Sequence, residues 1–490
     1  VKAKLALPFD SVGRHQVKNI AEPVDVWRIA LDGVVPKPRA KSWRLAPVAI
    51  AAGLAALLAL AGGGMGYWWW SGFRSAESAA LPLPEQPSIA VLPFKNLGEP
   101  SGERFAAGIT EDVITDLSQF RDLFVIARNS TAVYADKPVD IRQVGRDLGV
   151  RYVLEGSLQT SPEQVRVTAQ LIDATTGAHV WSQRYDRPFE DLLTIQTELA
   201  QTIAGTLGAI QGGRGPLRKQ ELGRASKEEK IAALTAYDYF LRGIMYIDKF
   251  TKEDNETARE LFKKAIELKP DYGRARAKYA ITYQLEYLLG WSTSPEKTLQ
   301  EGVELAQAAI AADESDSWAH WPLASGYLYQ RRYDESLVEY QRAVALNPND
   351  ADVLSDYGWA LAYFGKADQG VEAGKKAMRL NPYYPGWYSW NLGLDYYAAH
   401  RYEEAAATLE AFHEHNVQSR LFLAASYAQL GRSAEAKQQV AEALKLVAGY
   451  TIERAASMEM YRNPADLEHY VDGLRKAGLT SQGQNKGAGA

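Results

Sequence analysis

The sequence predicts a multidomain chain: a single transmembrane helix, a small α/β domain, then an all-α solenoid of helical repeats. Three observations carry that expectation. Residues 45–70 contain no charged side chain. Residues 88–210 alternate strand-like apolar runs with helical periodicity. Beyond residue 231 the chain repeats itself every 34 residues. With 490 residues, more than one folding unit is expected.

The uncharged run reads LAPVAIAAGLAALLALAGGGMGYWWW, from Leu45 to Trp70. A helix needs about 20 apolar residues to cross a bilayer. Tyr67, Trp68, Trp69 and Trp70 supply rings of the kind that settle at a membrane margin. A signal peptide fits poorly, because its apolar core is about 7–15 residues long and stands close to the N-terminus. Lys37, Arg39, Lys41 and Arg44 precede the run, and Arg74 alone follows closely. The positive-inside rule then puts residues 1–44 in the cytoplasm and 71–490 in the periplasm, in a single-pass inner-membrane protein. The bilayer is thus one expected partner, through 45–70. Gly62 and Gly66 leave room for a homodimer of such spans.

Charge is uneven. Residues 1–44 hold nine Lys/Arg against four Asp/Glu, whereas the whole chain carries a net charge of −5. That balance argues against a general nucleic-acid partner. The absence of cysteine excludes a disulfide framework, Cys-based zinc and iron–sulfur sites and a thiol nucleophile. No HExxH run occurs, His413 and His415 diverge on a helix, and the Gly212–Gly215 turn lacks the Lys-Ser/Thr of a phosphate loop. No metal site and no cofactor are expected.

The segment FDSVGRHQVKNIAEPVDVWRI, Phe9–Ile29, resembles the closing strands of a class III adenylate/guanylate cyclase catalytic domain. Gly13, Lys18, Asn19, Ala21, Glu22, Pro23 and Val24 carry the resemblance. That family holds its metal ions on two aspartates and its transition state on a downstream Asn/Arg pair, all upstream of this ending. The resemblance therefore implies a catalytic remnant over 1–36 and no catalytic residue in this chain. Lys18 is at most a remnant. An intact relative with the upstream domain would be a cyclase.

After a basic juxtamembrane segment (37–44), the span (45–70) and a Pro/Ser/Ala linker (71–87), residues 88–210 read as the α/β domain. Strands are expected at Ser88–Phe94, Leu123–Ala127, Arg151–Leu158, Gln164–Asp173 and Ala178–Tyr185. Helices are expected near Gly108–Phe120, Ile141–Leu148 and Leu192–Leu207. The motifs IAVLPF (89–94), FAAGITEDVITDLSQF (105–120), LGVRYVLEGSL (148–158) and RVTAQLIDATTGAHVWSQRYDR (166–187) resemble a TolB N-terminal-like domain. The resemblance implies a domain standing between a membrane span and a helical-repeat region, with a cyclase or winged-helix DNA-binding domain upstream, which gives no mechanism by itself.

A second linker (211–230) leads to the repeats (231–475), and a Gly/Gln/Ala tail (476–490), expected to be disordered, closes the chain. Ala309, Ala343 and Ala377 are 34 apart, as are Pro348 and Pro382, each ending an Asn-Pro turn. Small residues let paired helices approach, large ones such as Phe262, Tyr340 and Tyr427 fill the gaps, and proline stops the second helix. The pattern resembles tetratricopeptide (TPR) repeats, about six between Ala236 and Leu446. The resemblance implies a groove for a protein or peptide partner. Tyr327, Trp359, Tyr363 and Tyr396 are the candidates to line it, with Tyr357 in the core and Trp359 and Tyr363 sharing a face four residues apart. The function expected is a membrane-anchored signalling scaffold like the regulatory part of a cyclase. A membrane-bound transcription regulator, or a scaffold without signalling output, is the alternative.

Overall fold

The computed structural model describes residues 9–15, 24–29, 81–135, 137–161, 163–208, 226–413 and 415–481. It divides into two units, Val1–Glu77 and Ser78–Ala490. In the first, β1 (Phe9–His15) pairs antiparallel with β2 (Val24–Ile29), Phe9 opposite Ile29, and the register shifts between Ser11 and Gly13. This places the expected closing strands in a hairpin. Lys18 lies outside the described residues.

The expected span at 45–70 also lies outside them. Among the described residues no helix is long and apolar enough to cross a membrane. Those that are long enough carry charges; Lys227–Ile247, KEEKIAALTAYDYFLRGIMYI, shows it. The fold class is corrected to a mostly helical chain with a small sheet domain. The single-pass inner-membrane localisation, the cytoplasmic and periplasmic assignments and the lipid partner are withdrawn with the span.

The second unit begins with a mixed sheet. β3 (Ser88–Val91) lies between β5 (Phe124–Val125) and β6 (Tyr152–Thr160), parallel to both. β4 (Lys95–Asn96) pairs with the end of β6. β7 (Gln164–Asp173) and β8 (Ala178–Pro188) complete an antiparallel meander with β6. Two-residue alternation sorts the side chains. Ile89, Val91 and Leu154 join a core with Ile109, Val113 and Leu117 of α1 (Gly102–Ser118) and Ile195, Leu199 and Ile203 of α4 (Leu192–Thr206). Ala90, Leu92 and Val153 turn to the opposite face. There α2 (Arg128–Ala132) and α3 (Ile141–Leu148) lie at the edge of the second unit's other half.

That half holds six helical hairpins among the described residues: α5 (Lys227–Ile247) with α6 (Lys252–Leu268), α7 (Gly273–Leu288) with α8 (Pro295–Ala312), α9 (Ser317–Tyr329) with α10 (Tyr333–Leu346), α11 (Ala351–Tyr363) with α12 (Ala367–Leu380), α13 (Trp387–Ala398) with α14 (Tyr402–Glu410), and α15 (Val417–Gln429) with α16 (Ser433–Leu446). Their close approach rests on the small residues. A Cβ on Gly370 would stand 2.7 Å from the Gly358 carbonyl, and one on Gly358 2.9 Å from the Gly370 carbonyl. Two further helices, α17 (Ile452–Met458) and α18 (Pro464–Ala477), fold back on the array.

The sheet domain and the hairpins share a core. Leu92, Phe124, Ile126, Val144 and Leu148 pack with Leu354, Ala377, Leu380 and Tyr388 in one apolar cluster. Burial of this apolar surface away from water favours keeping the two halves together. Residues 211–225 of the expected second linker lie outside the described residues. Its last residues, 226–230, open α5 through a capping box between Ser226 and Glu229.

Candidate peptide-binding surface

The array presents two turn edges, and each is engaged by another part of the second unit. On one edge the Asn-Pro turns meet the sheet domain. Asn349 Nδ2 donates to the carbonyls of Ser118 (3.0 Å) and Phe120 (3.2 Å). One repeat further, Ser130 Oγ donates to Asn381 Oδ1 (2.6 Å) and accepts from the Tyr383 amide (2.8 Å). Arg379 donates to the carbonyls of Leu148 (3.1 Å), Gly149 (2.9 Å) and Pro82 (2.8 Å). The first hairpins are joined by a buried ionic knot. Arg274 Nη1 lies 2.8 Å from Asp112 Oδ1, and its Nε lies 3.7 Å from Asp316. Tyr237 donates its hydroxyl proton to Asp112 and accepts from Gln196 Nε2 (3.0 Å). Burial and the Asp112 charge push the Tyr237 phenol well above its usual value.

On the opposite edge stand the turns between the two helices of each hairpin. A register recurs there: Tyr327, Arg332 and Glu335; Tyr396, Arg401 and Glu404; Tyr427, Arg432 and Glu435. In each, the arginine amide donates to the tyrosine carbonyl at 2.8, 2.9 and 2.9 Å. The guanidinium covers the tyrosine ring at 4.0, 4.8 and 4.3 Å. It also pairs with the glutamate. Tyr327 and Tyr396 are therefore buried parts of a turn lock, as is Tyr427. The signal for this was in the sequence, as a tyrosine followed at five and eight residues by arginine and glutamate.

Trp359 and Tyr363 do share a face: their rings meet edge-on at 5.1 Å. The burial order is the reverse of the expected one. Tyr363 is 3% exposed and Trp359 7%, whereas Tyr357 is only half-buried, stacked on Tyr340 at 5.7 Å. What covers Tyr363 is the segment between α17 and α18. Tyr363 donates to Glu459 Oε2 (2.8 Å), and its ring meets Tyr461 at 4.9 Å. Burial pushes the Glu459 carboxyl up to about 7, against the opposing Tyr363 hydroxyl and Arg331 charge. Further along, α18 crosses the later turns: Tyr397 donates to the His469 carbonyl (3.2 Å), and His469 lies 4.3 Å from the His400 ring. Sequence reading of the aromatics missed this cover, because α17 and α18 fall outside the 34-residue period. Among the described residues no group of three or more His, Cys, Asp or Glu could hold a metal ion.

Comparison with known proteins gives three kinds of match. A family model described as the HilA/YgeH-like transcriptional regulator, second domain, matches residues 85–202. A putative adenylate cyclase 3 of Rhizobium meliloti (strain 1021) is 36% identical over 337 residues, covering 69% of this chain and 50% of the relative. The TPR repeat-containing protein YpiA of Bacillus subtilis (strain 168) is 26% identical over 156 residues, covering 31% of this chain and 36% of the relative. The solved structure of PilF from Pseudomonas aeruginosa is 19% identical, covering 46% of this chain and 97% of that one with a TM-score of 0.35. The chain thus spans half or less of the length of the curated relatives it matches.

Similarity to a protein named as an adenylate cyclase and TPR-type repeats are what these matches support. They do not support the TolB assignment of the α/β domain or a homodimer.

Proposed function

We propose that this chain is the scaffolding part of an adenylate cyclase-related signalling protein and binds a protein or peptide partner through its repeats. The supporting observation is the 36% identity, sustained over 337 residues, with a relative named a putative adenylate cyclase. On this reading the α/β domain (88–210) and the repeats (231–475) sense the partner, and the aromatic face around Trp359 and Tyr363 belongs to the binding region, with Tyr327 and Tyr396 holding the turns beside it. Catalysis belongs to a cyclase domain joined to the β1–β2 hairpin. Partner occupancy alters output only through a difference in affinity for two arrangements of that domain.

Photo-crosslinking of the purified chain in a lysate of its source cells, followed by reconstitution with the purified candidate, tests the scaffold. A partner that binds reversibly and is competed by unlabelled chain is expected. Failure of every crosslinked candidate to bind when purified removes the scaffold reading.

The family match at 85–202 favours a second reading, in which the same α/β and repeat assembly serves a DNA-binding regulator. The two readings part on output. Residues 1–490 placed behind a class III cyclase catalytic domain should give partner-dependent cyclic AMP on the first reading and partner-independent cyclic AMP on the second.

A further inference from the structure

The segment joining α17 to α18 is held as a bound peptide would be. Glu459 leaves α17 in extended backbone, with φ −85° and ψ 147°. Glu459, Met460 and Tyr461 are buried although they belong to no helix or strand. The array grips their main chain. Arg331 Nη2 donates to the Glu459 carbonyl (2.9 Å), Tyr333 donates its hydroxyl to the Tyr461 carbonyl (3.4 Å), and the Arg462 amide donates to the Tyr363 carbonyl (2.9 Å). Side chains then read the segment. Glu459 sits on Tyr363, Tyr461 packs on the same ring, and Arg462 donates to Asp334 at 2.7 and 3.3 Å. Main-chain contacts for affinity with side-chain contacts for specificity are the logic of extended-peptide recognition.

Two independent observations mark the strip. Arg331 holds φ +60° at a turn where the equivalent Gly365 and Gly431 each hold φ +74°; His400 (+58°) and Phe250 (+52°) are the other described non-glycine residues held this way. A side chain in that region costs about 1 kcal/mol or more, a cost that a side-chain contact can offset. The Arg331 side chain makes that contact with the Glu459 carbonyl. Trp359, buried edge-on against Tyr363, keeps an indole Nε1–H with no hydrogen-bond partner. Such an orphaned donor suits a peptide carbonyl that the internal segment does not supply.

We propose that Arg331, Tyr333, Asp334, Trp359 and Tyr363 form a peptide-docking strip occupied in cis by Glu459–Arg462. Its partner in trans is an extended protein segment bearing a carboxylate, an aromatic ring two residues later and a basic residue next. The proposal rests on the partner-binding reading of the repeats. The internal segment competes at the high effective concentration of a tethered ligand.

The probe is a fluorophore-labelled peptide of residues 456–464, ASMEMYRNP. It is titrated into the full chain and into the full chain carrying E459A and Y461A. The doubly substituted chain should bind the probe at least about tenfold more tightly than the unsubstituted one, since the tethered competitor is weakened. Adding R331A should abolish the gain. A folded double variant that binds no better than the parent overturns the proposal. Should that variant not fold, hydrogen exchange on the unsubstituted chain decides. Saturating probe should speed exchange of the Arg462 amide by displacing it from the Tyr363 carbonyl, and unchanged exchange overturns the proposal. If a reconstituted partner binds while both probe experiments fail, the scaffold reading stands and the partner docks elsewhere.

Discussion

Asp395 is fully buried, and neither carboxylate oxygen has a hydrogen-bond partner. It sits where Gly358, Gly370 and Gly374 bring three helices together. Burial pushes its carboxyl well above the usual carboxylate range, so the native state holds it neutral. Its raised folded value means that its favourable contribution is present below the unfolded value and lost as pH rises through the folded one. Asp395→Asn keeps the shape without the proton. It should match the parent in melting temperature near pH 4 and exceed it at pH 8; a lower melting temperature at pH 8 would show an ionised, partnered Asp395. Glu459 and His469 make an opposed pair on the returning segment. Glu459 is raised from 4.5 to about 7, so its contribution is full below 4.5 and lost as pH rises through 7. His469 is lowered from 6.5 to about 4 by burial and by His400, so its contribution is full above 6.5 and lost as pH falls through 4. The groups facing them are Tyr363, Arg331, Tyr450, Tyr461 and Tyr470 around Glu459, and His400, Tyr397, Tyr402, Asp472 and Lys476 around His469. Their slopes nearly cancel between pH 4.5 and 6.5. Relative to the parent, Glu459→Gln should gain thermal stability as pH rises across that interval, and His469→Gln should lose it. Parallel profiles for the two variants would contradict the opposed signs.

At the scale of the element, the hairpins depend on contacts with no room for a methyl group. Gly370→Ala places a Cβ against the Gly358 carbonyl and the Asp395 carboxyl, and should cost about 1–3 kcal/mol in denaturant unfolding. A neutral result would mean that α11 and α12 separate freely. Much of this level was legible from the chain alone. The helix at Ile141–Leu148 and the strand at Gln164–Asp173 have the expected bounds, because Asp140 caps the one and alternation marks the other. Helix α1 starts at Gly102, six residues before the expected Gly108, since Gly102 and Ala106 bury on it without an apolar run to announce them. The Asn-Pro turns were readable as stops, but not as docking points. Asn349 and Asn381 satisfy carbonyls and hydroxyls more than 200 residues away, and no local pattern encodes such a partner. The same holds for the aromatics: spacing showed that Trp359 and Tyr363 share a face, and only the path of α17 and α18 shows what that face meets.

The second unit behaves as one body because its parts close on each other. The shared core around Leu380 and Tyr388, the Asn-Pro contacts and the Arg274 knot all join the sheet domain to the array. Calorimetry of the full chain should therefore give one cooperative transition for residues 78–490. Separate melting of the sheet domain and the repeats would refute the shared core. Arg274→Ala removes the cation that faces the buried Asp316 and bridges it to Asp112, and should cost about 3 kcal/mol. Arg274→Lys should recover part of that loss, since a single ammonium replaces the charge but not the fork.

The paired Asn-Pro turns also bear on how such a chain can evolve. A free solenoid tolerates duplication or loss of a unit, because each repeat contacts only its neighbours. Here Asn349 and Asn381, in successive turns, meet Ser118 and Ser130 of one rigid sheet domain. Deleting or inserting a repeat between the Arg274 knot and the returning α18 would slide one set of contacts out of phase with the other. The number of repeats is thereby frozen. Length variation among descendants of this gene should collect in the connecting loops, while the 34-residue count between the anchored turns stays fixed.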